Sequence, residues 1–247
     1  MRRAISSTTS STVNSELRFE AGGISAGLIV KPSARARVLR LRVDPRTGAV
    51  MLTVPRGVSR KRALDWAAGQ RAWIEAALAD VPPPAGIADG GELPLYGLPH
   101  RIDWRPDAAR TVRIEPGRIV TGGPAETLEP RLLRWLRRHA GTVLDRETRE
   151  YAAKAGVTVA RVGVGDPLSR WGSCSESGAI RYSWRLILAP EWVRRATVAH
   201  EVAHRVHMNH GPEFHALVET LFEADPKPAR SWLRRNGASL HRLGRRN

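Results

Sequence analysis

Polar and apolar positions first alternate with period two. Leu39, Leu41 and Val43 interleave with Arg40 and Arg42, and Val50, Leu52 and Val54 repeat the alternation. Between them stands Asp44-Pro45-Arg46-Thr47-Gly48, which is turn chemistry, so the pattern predicts an antiparallel hairpin with one solvated face. The whole stretch 17–57 reads as strands. At Ser59, a good helix N-cap, the period lengthens. A helix is predicted to about Ala79, with Leu64, Ala67, Trp73, Ile74, Ala77 and Leu78 as its apolar surface. Pro82-Pro83-Pro84 stops it. Short strands follow at 93–97, 101–104, 112–114 and 118–120, and the lone His100 among them reads as a surface residue. Gly122-Gly123-Pro124 is the clearest internal boundary.

The second half opens on a long helix from Thr127 to about Ala155. Its stripe is Leu132, Leu136, Ala140, Val143 and Leu144, with Arg131, Arg134, Arg137, Arg138 and His139 over much of the rest and Gly156 at its end. Strands are predicted at 157–164, 168–173 and 180–188. A helix begins at Pro190, another at Pro212 with Phe214, Leu217, Val218, Leu221 and Phe222 as its packing face, and a last one spans about 228–236. The order of elements predicts an α+β protein. A disordered tail covers 1–16, an N-terminal β-rich region with a helix covers 17–124, a second domain covers 125–240, and 241–247 form a loose basic tail.

Composition changes the picture little. No run approaches the roughly 20 apolar residues of a membrane span. A single cysteine, Cys174, excludes an internal disulfide and fits a reducing, cytoplasmic compartment. The first 14 residues are rich in Ser and Thr and carry Arg2 and Arg3; they slightly resemble a transit peptide but lack the apolar core of an export signal. The net charge of +16, carried by 36 Arg and 4 Lys, points to an acidic partner such as nucleic acid. The arginines are scattered rather than clustered, which a solvated surface explains equally well.

Chemistry concentrates in one place. Five of the eight histidines fall between His200 and His215, and they include His200-Glu201-Val202-Ala203-His204. On a helix two residues four apart share one face, so two imidazoles can grip one zinc ion while Glu201, one step around, faces a zinc-bound water as base. Such a spacing can arise by chance on a charged helix. Here the preceding residues, Trp192, Val193, Ala196, Thr197 and Val198, form an apolar wall from which the imidazoles would emerge. A catalytic zinc site needs a third protein ligand. His210 can swing back if the helix ends first, and Asn209, Gly211 and Pro212 are stop signals. His207, His215, Glu219 and Glu223 remain alternatives.

Ser169-Arg170-Trp171-Gly172-Ser173-Cys174, Trp184-Arg185-Leu186-Ile187-Leu188-Ala189-Pro190, His200-Glu201-x-x-His204 and Asn209-His210-Gly211-Pro212-x-Phe214 together resemble the YgjP-like family of zinc metallopeptidases, which is related to the SprT-like and WLM proteases. The blocks stand in the family's order and spacing. The resemblance implies a zincin-like C-terminal domain, a small antiparallel sheet plus the motif helix, with one Zn²⁺ held by His200, His204 and His210 and Glu201 as catalytic base. It also implies that Trp171 and Gly172 lie near an edge strand where an extended peptide can pair, with Gly172 allowing close approach. The chain departs from the family at Ser183, Gly211 and His215, where Asn, Ser and Trp are usual.

The sequence therefore predicts hydrolysis of a peptide or protein substrate. Tyr182 is a further substrate-binding candidate, and Tyr182, Arg170, Arg185 and His215 are candidate donors to the oxyanion. Glu213, Glu219 and Glu223 are candidate acceptors for the ligands' second N–H. The alternatives are a nucleic-acid-associated zinc protein, either a DNA-linked protease or a non-catalytic binding module, and a hydrolase of a non-peptide amide.

Overall fold

A computed structural model describes residues 18–21, 24–83 and 85–244. The expected tail at 1–16 and the last three residues of the expected basic tail lie outside these. By internal contacts the chain forms two compact units that divide at Pro82–Pro83. That division falls upstream of Gly122-Gly123-Pro124. Among the described residues there are three small sheets and six α-helices, so the class is α+β. No described helix is long and apolar enough to cross a membrane.

The first unit holds β1 (Arg18–Ala21), β2 (Ile24–Ser33), β3 (Arg40–Val43) and β4 (Val50–Pro55), in the order β1-β2-β4-β3. The predicted hairpin is β3–β4, antiparallel, with Leu41 opposite Leu52 and Val43 opposite Val50. Its turn is fixed by Asp44. That carboxylate accepts from the Arg46 backbone N–H (3.0 Å) and from Arg46 Nε (2.8 Å) and Nη2 (2.7 Å), and Gly48 takes φ 72°. Ser59 caps as expected, accepting from the Arg62 N–H at 3.3 Å. The single helix to Ala79 is instead two, α1 (Arg60–Ala68) and α2 (Arg71–Ala79), separated at Gly69–Gln70. Ala63, Ala67, Ile74 and Leu78 are buried against Val50, Leu52 and Val54, whereas Trp73 is exposed.

The second unit begins with β5 (Glu92–Leu95), β6 (Leu98–Arg105), β7 (Arg113–Glu115) and β8 (Arg118–Gly122), in the order β5-β6-β8-β7. These strands belong with the residues after them. Leu93, Leu95, Ile102 and Ile119 share one core with Leu132, Leu136 and Ala140 of α3 (Leu128–Lys154), whose predicted stripe is buried in full. His100 is buried, with Nδ1 2.9 Å from the Leu98 carbonyl, and is not the surface residue expected.

The last sheet comprises β9 (Arg161–Gly165), β10 (Gly172–Cys174) and β11 (Ala179–Ser183), ordered β10-β11-β9. It is mixed rather than antiparallel, because β9 and β11 run parallel. The predicted strand 180–188 stops at Ser183, and residues Trp184–Leu188 form a buried 3-10 turn. Three helices follow: α4 (Glu191–Ala203), α5 (Pro212–Phe222) and α6 (Lys227–Arg242). The helix α6 outruns its predicted end at 236, and His241, Arg242 and Leu243 are buried, so the chain is not loose at 241–243. Arg185 anchors this end. Buried beneath the sheet, it pairs with Asp166 at 2.7 Å, donates to the carbonyls of Leu240 and Leu243 and lies over the Trp184 ring.

Candidate metal centre

The helix α4 packs on one face through Val193, Ala196, Ala199, Val202 and Ala203, all buried. The i,i+4 spacing then carries His200 and His204 to its last turn on one side. The helix ends sooner than Asn209 and Gly211 suggested. His204 is already the C-cap, and the N–H groups of Val206 (3.0 Å) and His207 (3.0 Å) both donate to the Ala203 carbonyl. Neither Asn209 nor Gly211 adopts a left-handed conformation; Gly211 has φ −76° and Pro212 starts α5. The reversal swings His210 back over the helix end.

The result is a cluster in which one potential ligand atom from each of His200, His204 and His210 lies within 4.8 Å of the others. His200 Nε2 and His210 Nε2 are 3.3 Å apart. Phe214, fully buried, supports the three rings at 4.9, 4.5 and 4.8 Å between centroids. The alternatives for the third position fall outside the cluster. His207 faces Glu213 at 3.8 Å, His215 stands 6.4 Å from His210 by ring centroid, Glu223 is paired with Lys154 at 2.7 Å, and Glu219 is exposed.

The ionisation state suits metal binding. Burial, reinforced by the neighbouring imidazoles, drives the His200 pKa down to about 3, and burial lowers that of His204. Both rings are then neutral at neutral pH and offer lone pairs. His204 Nδ1 lies 3.1 Å from the His207 carbonyl oxygen. A carbonyl only accepts, so Nδ1 carries the proton and Nε2 is left free to ligate. The acceptor is thus backbone, not Glu213, Glu219 or Glu223. Three imidazoles without thiolate or added carboxylate suit zinc among the divalent ions. Tetrahedral zinc with Zn–N bonds of about 2.0–2.1 Å separates its nitrogens by roughly 3.3–3.4 Å, which the His200–His210 distance of 3.3 Å matches.

Glu201 is buried beside the cluster (5% exposed), and burial raises its pKa to about 7, against a lowering pull from Arg170. The strand β10 presses against it. A Cβ built on Gly172 would lie 2.5 Å from Glu201 Oε1, so only glycine permits this approach. Trp171 and Gly172 line a cavity of about 190 Å³ that also reaches His200 and Glu201. Tyr182 is a core residue, 1% exposed, with its hydroxyl 3.0 Å from Thr148 Oγ1, and it borders a second cavity with Arg170 and Ser173. Arg185 is likewise held inside the fold. Arg170 is exposed on the Glu201 side and His215 half-buried beside His210.

Sequence reasoning missed the cavity's far wall. Pro226, Ala229 and Leu233 come from α6 and the residue before it, and nothing in their spacing ties them to the motif helix. A family described as YgjP-like, metallopeptidase domain, matches residues 37–236 through its model. No match was found among curated proteins or among solved structures.

Proposed function

We propose, for a chain that belongs to the YgjP-like metallopeptidase-domain family, that it is a zinc-dependent peptidase of zincin-like architecture, with His200, His204 and His210 holding one Zn²⁺ and Glu201 serving as general base. The observation that carries this reading is the convergence of three imidazoles, two of them 3.3 Å apart nitrogen to nitrogen, beside a buried carboxylate.

A bound zinc ion supplies Lewis acidity, polarising a carbonyl and bringing the pKa of water to about 7. The protein's own groups do the rest. His204 is held in one tautomer by the His207 carbonyl. Glu201, with a pKa raised to about 7, is matched to taking the proton of the attacking water and returning it to the leaving nitrogen. Gly172 lets the β10 backbone approach within reach of that carboxylate. One edge of β10 is taken by β11 and the other has no partner among the described strands, so a substrate can pair there as an added strand. Arg170, whose charge is felt at Glu201, and His215, beside His210, are the oxyanion-donor candidates in this reading, since Arg185 is held inside the fold and the Tyr182 hydroxyl meets Thr148.

The test is metal content together with an unbiased peptide-cleavage screen on wild type and Glu201→Gln. The reading expects about one zinc per chain in both and cleavage only in the wild type. Absence of zinc, or cleavage that survives the substitution, overturns it. The net charge of +16 favours a second reading, a nucleic-acid-associated zinc protein. That reading expects DNA binding that is equal in wild type and Glu201→Gln and weakens steeply with salt.

A further inference from the structure

The cavity at Glu201 is small and mostly apolar, and it opens from the groups that the peptidase reading puts at the scissile bond. Its walls come from three places in the chain. Trp171 precedes β10, Ala196 lies on α4, and Pro226, Ala229 and Leu233 belong to α6 or just precede it. Ala196, Ala229 and Leu233 are 4, 2 and 9% exposed, so these walls are fixed by packing. Trp171 is fixed too. Its ring lies against His241 at 4.9 Å between centroids, tilted by 34°, and a Cβ on Gly237 would fall 2.7 Å from its Cζ2. Among the described residues that line the cavity, Arg230, which is exposed, is the one charged residue besides Glu201.

Resting on the peptidase reading, we propose that this cavity is the specificity pocket, and that it admits one compact, uncharged apolar side chain of the substrate residue next to the scissile bond. The volume of about 190 Å³ is below the roughly 300–1,000 Å³ of a site for a whole drug-sized ligand, but suffices for one side chain. The apolar walls give a Leu, Met or Phe side chain a place to leave water. They offer no carboxylate to a cationic one except Glu201 itself, and Arg230 repels Lys and Arg at the mouth. Ala196 and Ala229 set the width, because any larger side chain there would project into the cavity.

Two readouts test this. In the first, metal-loaded wild type, Ala229→Leu and Leu233→Ala are given the same random peptide pool. In the second, metal-free protein is titrated with N-acetyl amino-acid amides of Leu, Met, Phe, Gly and Lys, followed at the Trp171 indole N–H resonance, which Trp171→Phe identifies. The pocket is supported if wild type prefers apolar residues beside the cleaved bond and Ala229→Leu lowers kcat/KM for Leu, Met and Phe on the order of 10–100-fold relative to Gly and Ala. Leu233→Ala, which enlarges the space, shifts the preference toward larger rings; it keeps the test decisive if Ala229→Leu does not fold. Cleavage with no side-chain preference, or with one that neither variant moves, overturns the pocket and leaves the peptidase reading standing. Selective binding of Leu, Met and Phe amides without any cleavage supports the pocket and overturns the peptidase reading. Neither binding preference nor cleavage overturns both.

Discussion

Gly172 and Glu201 are in contact so close that a single methyl group on the first would stand 2.5 Å from Oε1 of the second. The backbone of β10 and the carboxylate of α4 therefore fix each other's position. Gly172→Ala must push one of them aside. A displacement of about 1 Å at a reacting group can cost on the order of 100-fold in rate. The expected outcome is a kcat lowered by about that factor with zinc stoichiometry unchanged, measured by steady-state cleavage and metal analysis on the same preparation.

His210 is the exposed member of the cluster, whereas His215 is 6.4 Å away by ring centroid. His210→Ala is expected to lose tightly held zinc while the melting temperature of the metal-free protein stays nearly unchanged, because little packing is removed. His215→Ala is expected to keep the metal. Dialysis against a chelator of known affinity, followed by metal analysis, separates them; the reverse result would move the third ligand to His215.

Glu147 and Arg194 form an ion pair with side chains 1 and 3% exposed, and Arg194 Nε and Nη2 both donate to the carboxylate. The pair ties α3 to α4. Glu147→Ala leaves a guanidinium buried without its counter-charge, and loss of one partner of a buried pair costs about 3–5 kcal/mol. Urea denaturation of the metal-free protein should show a loss of that size.

His139 stacks on Trp135 at 5.0 Å and shares a hydrogen bond with the Tyr96 hydroxyl through Nε2. Burial, aided by Arg194 and Arg146, lowers its pKa from the ordinary value of 6.5. The folded pKa lies below the unfolded one, so its contribution to stability is whole above about pH 6.5 and is lost as the pH falls through the folded value. Between pH 7 and 5, His139→Phe should show a shallower fall in unfolding free energy than wild type, by at most about 1.4 kcal/mol per pH unit. An unchanged slope would place the acid-sensitive proton elsewhere.

Much of this was legible because it is local. The stripe of α3, the β3–β4 hairpin with its Asp44 turn, and the shared face of His200 and His204 all follow from periodicity and short-range chemistry. What periodicity does not carry was misread. The apolar run 180–188 fits a buried strand as well as a buried helical turn, and the structure splits it between the two. Trp73 lies off the face that Ala63, Ala67, Ile74 and Leu78 share at helical spacing, and it is exposed. The end of α6 looked polar because His241 and Arg242 are titratable, yet both are buried, His241 under Trp171. The burial of Tyr182 was not legible, because its partner Thr148 lies 34 residues away on α3. His210 reaches the other two imidazoles by a local route other than the one expected: the helix closes with the Val206 and His207 N–H groups on the Ala203 carbonyl, and no left-handed residue stands at 209 or 211.

The proton on His204 answers to an oxygen that belongs to the main chain at position 207. Every amino acid brings that oxygen, so the identity of the residue at 207 is free to drift without unlocking the ring. A lineage of such proteins could exchange His207 for almost anything and still present the same nitrogen outward; what it could not tolerate is an insertion or deletion between 204 and 210, which would reroute the loop and release the ring even with every histidine retained.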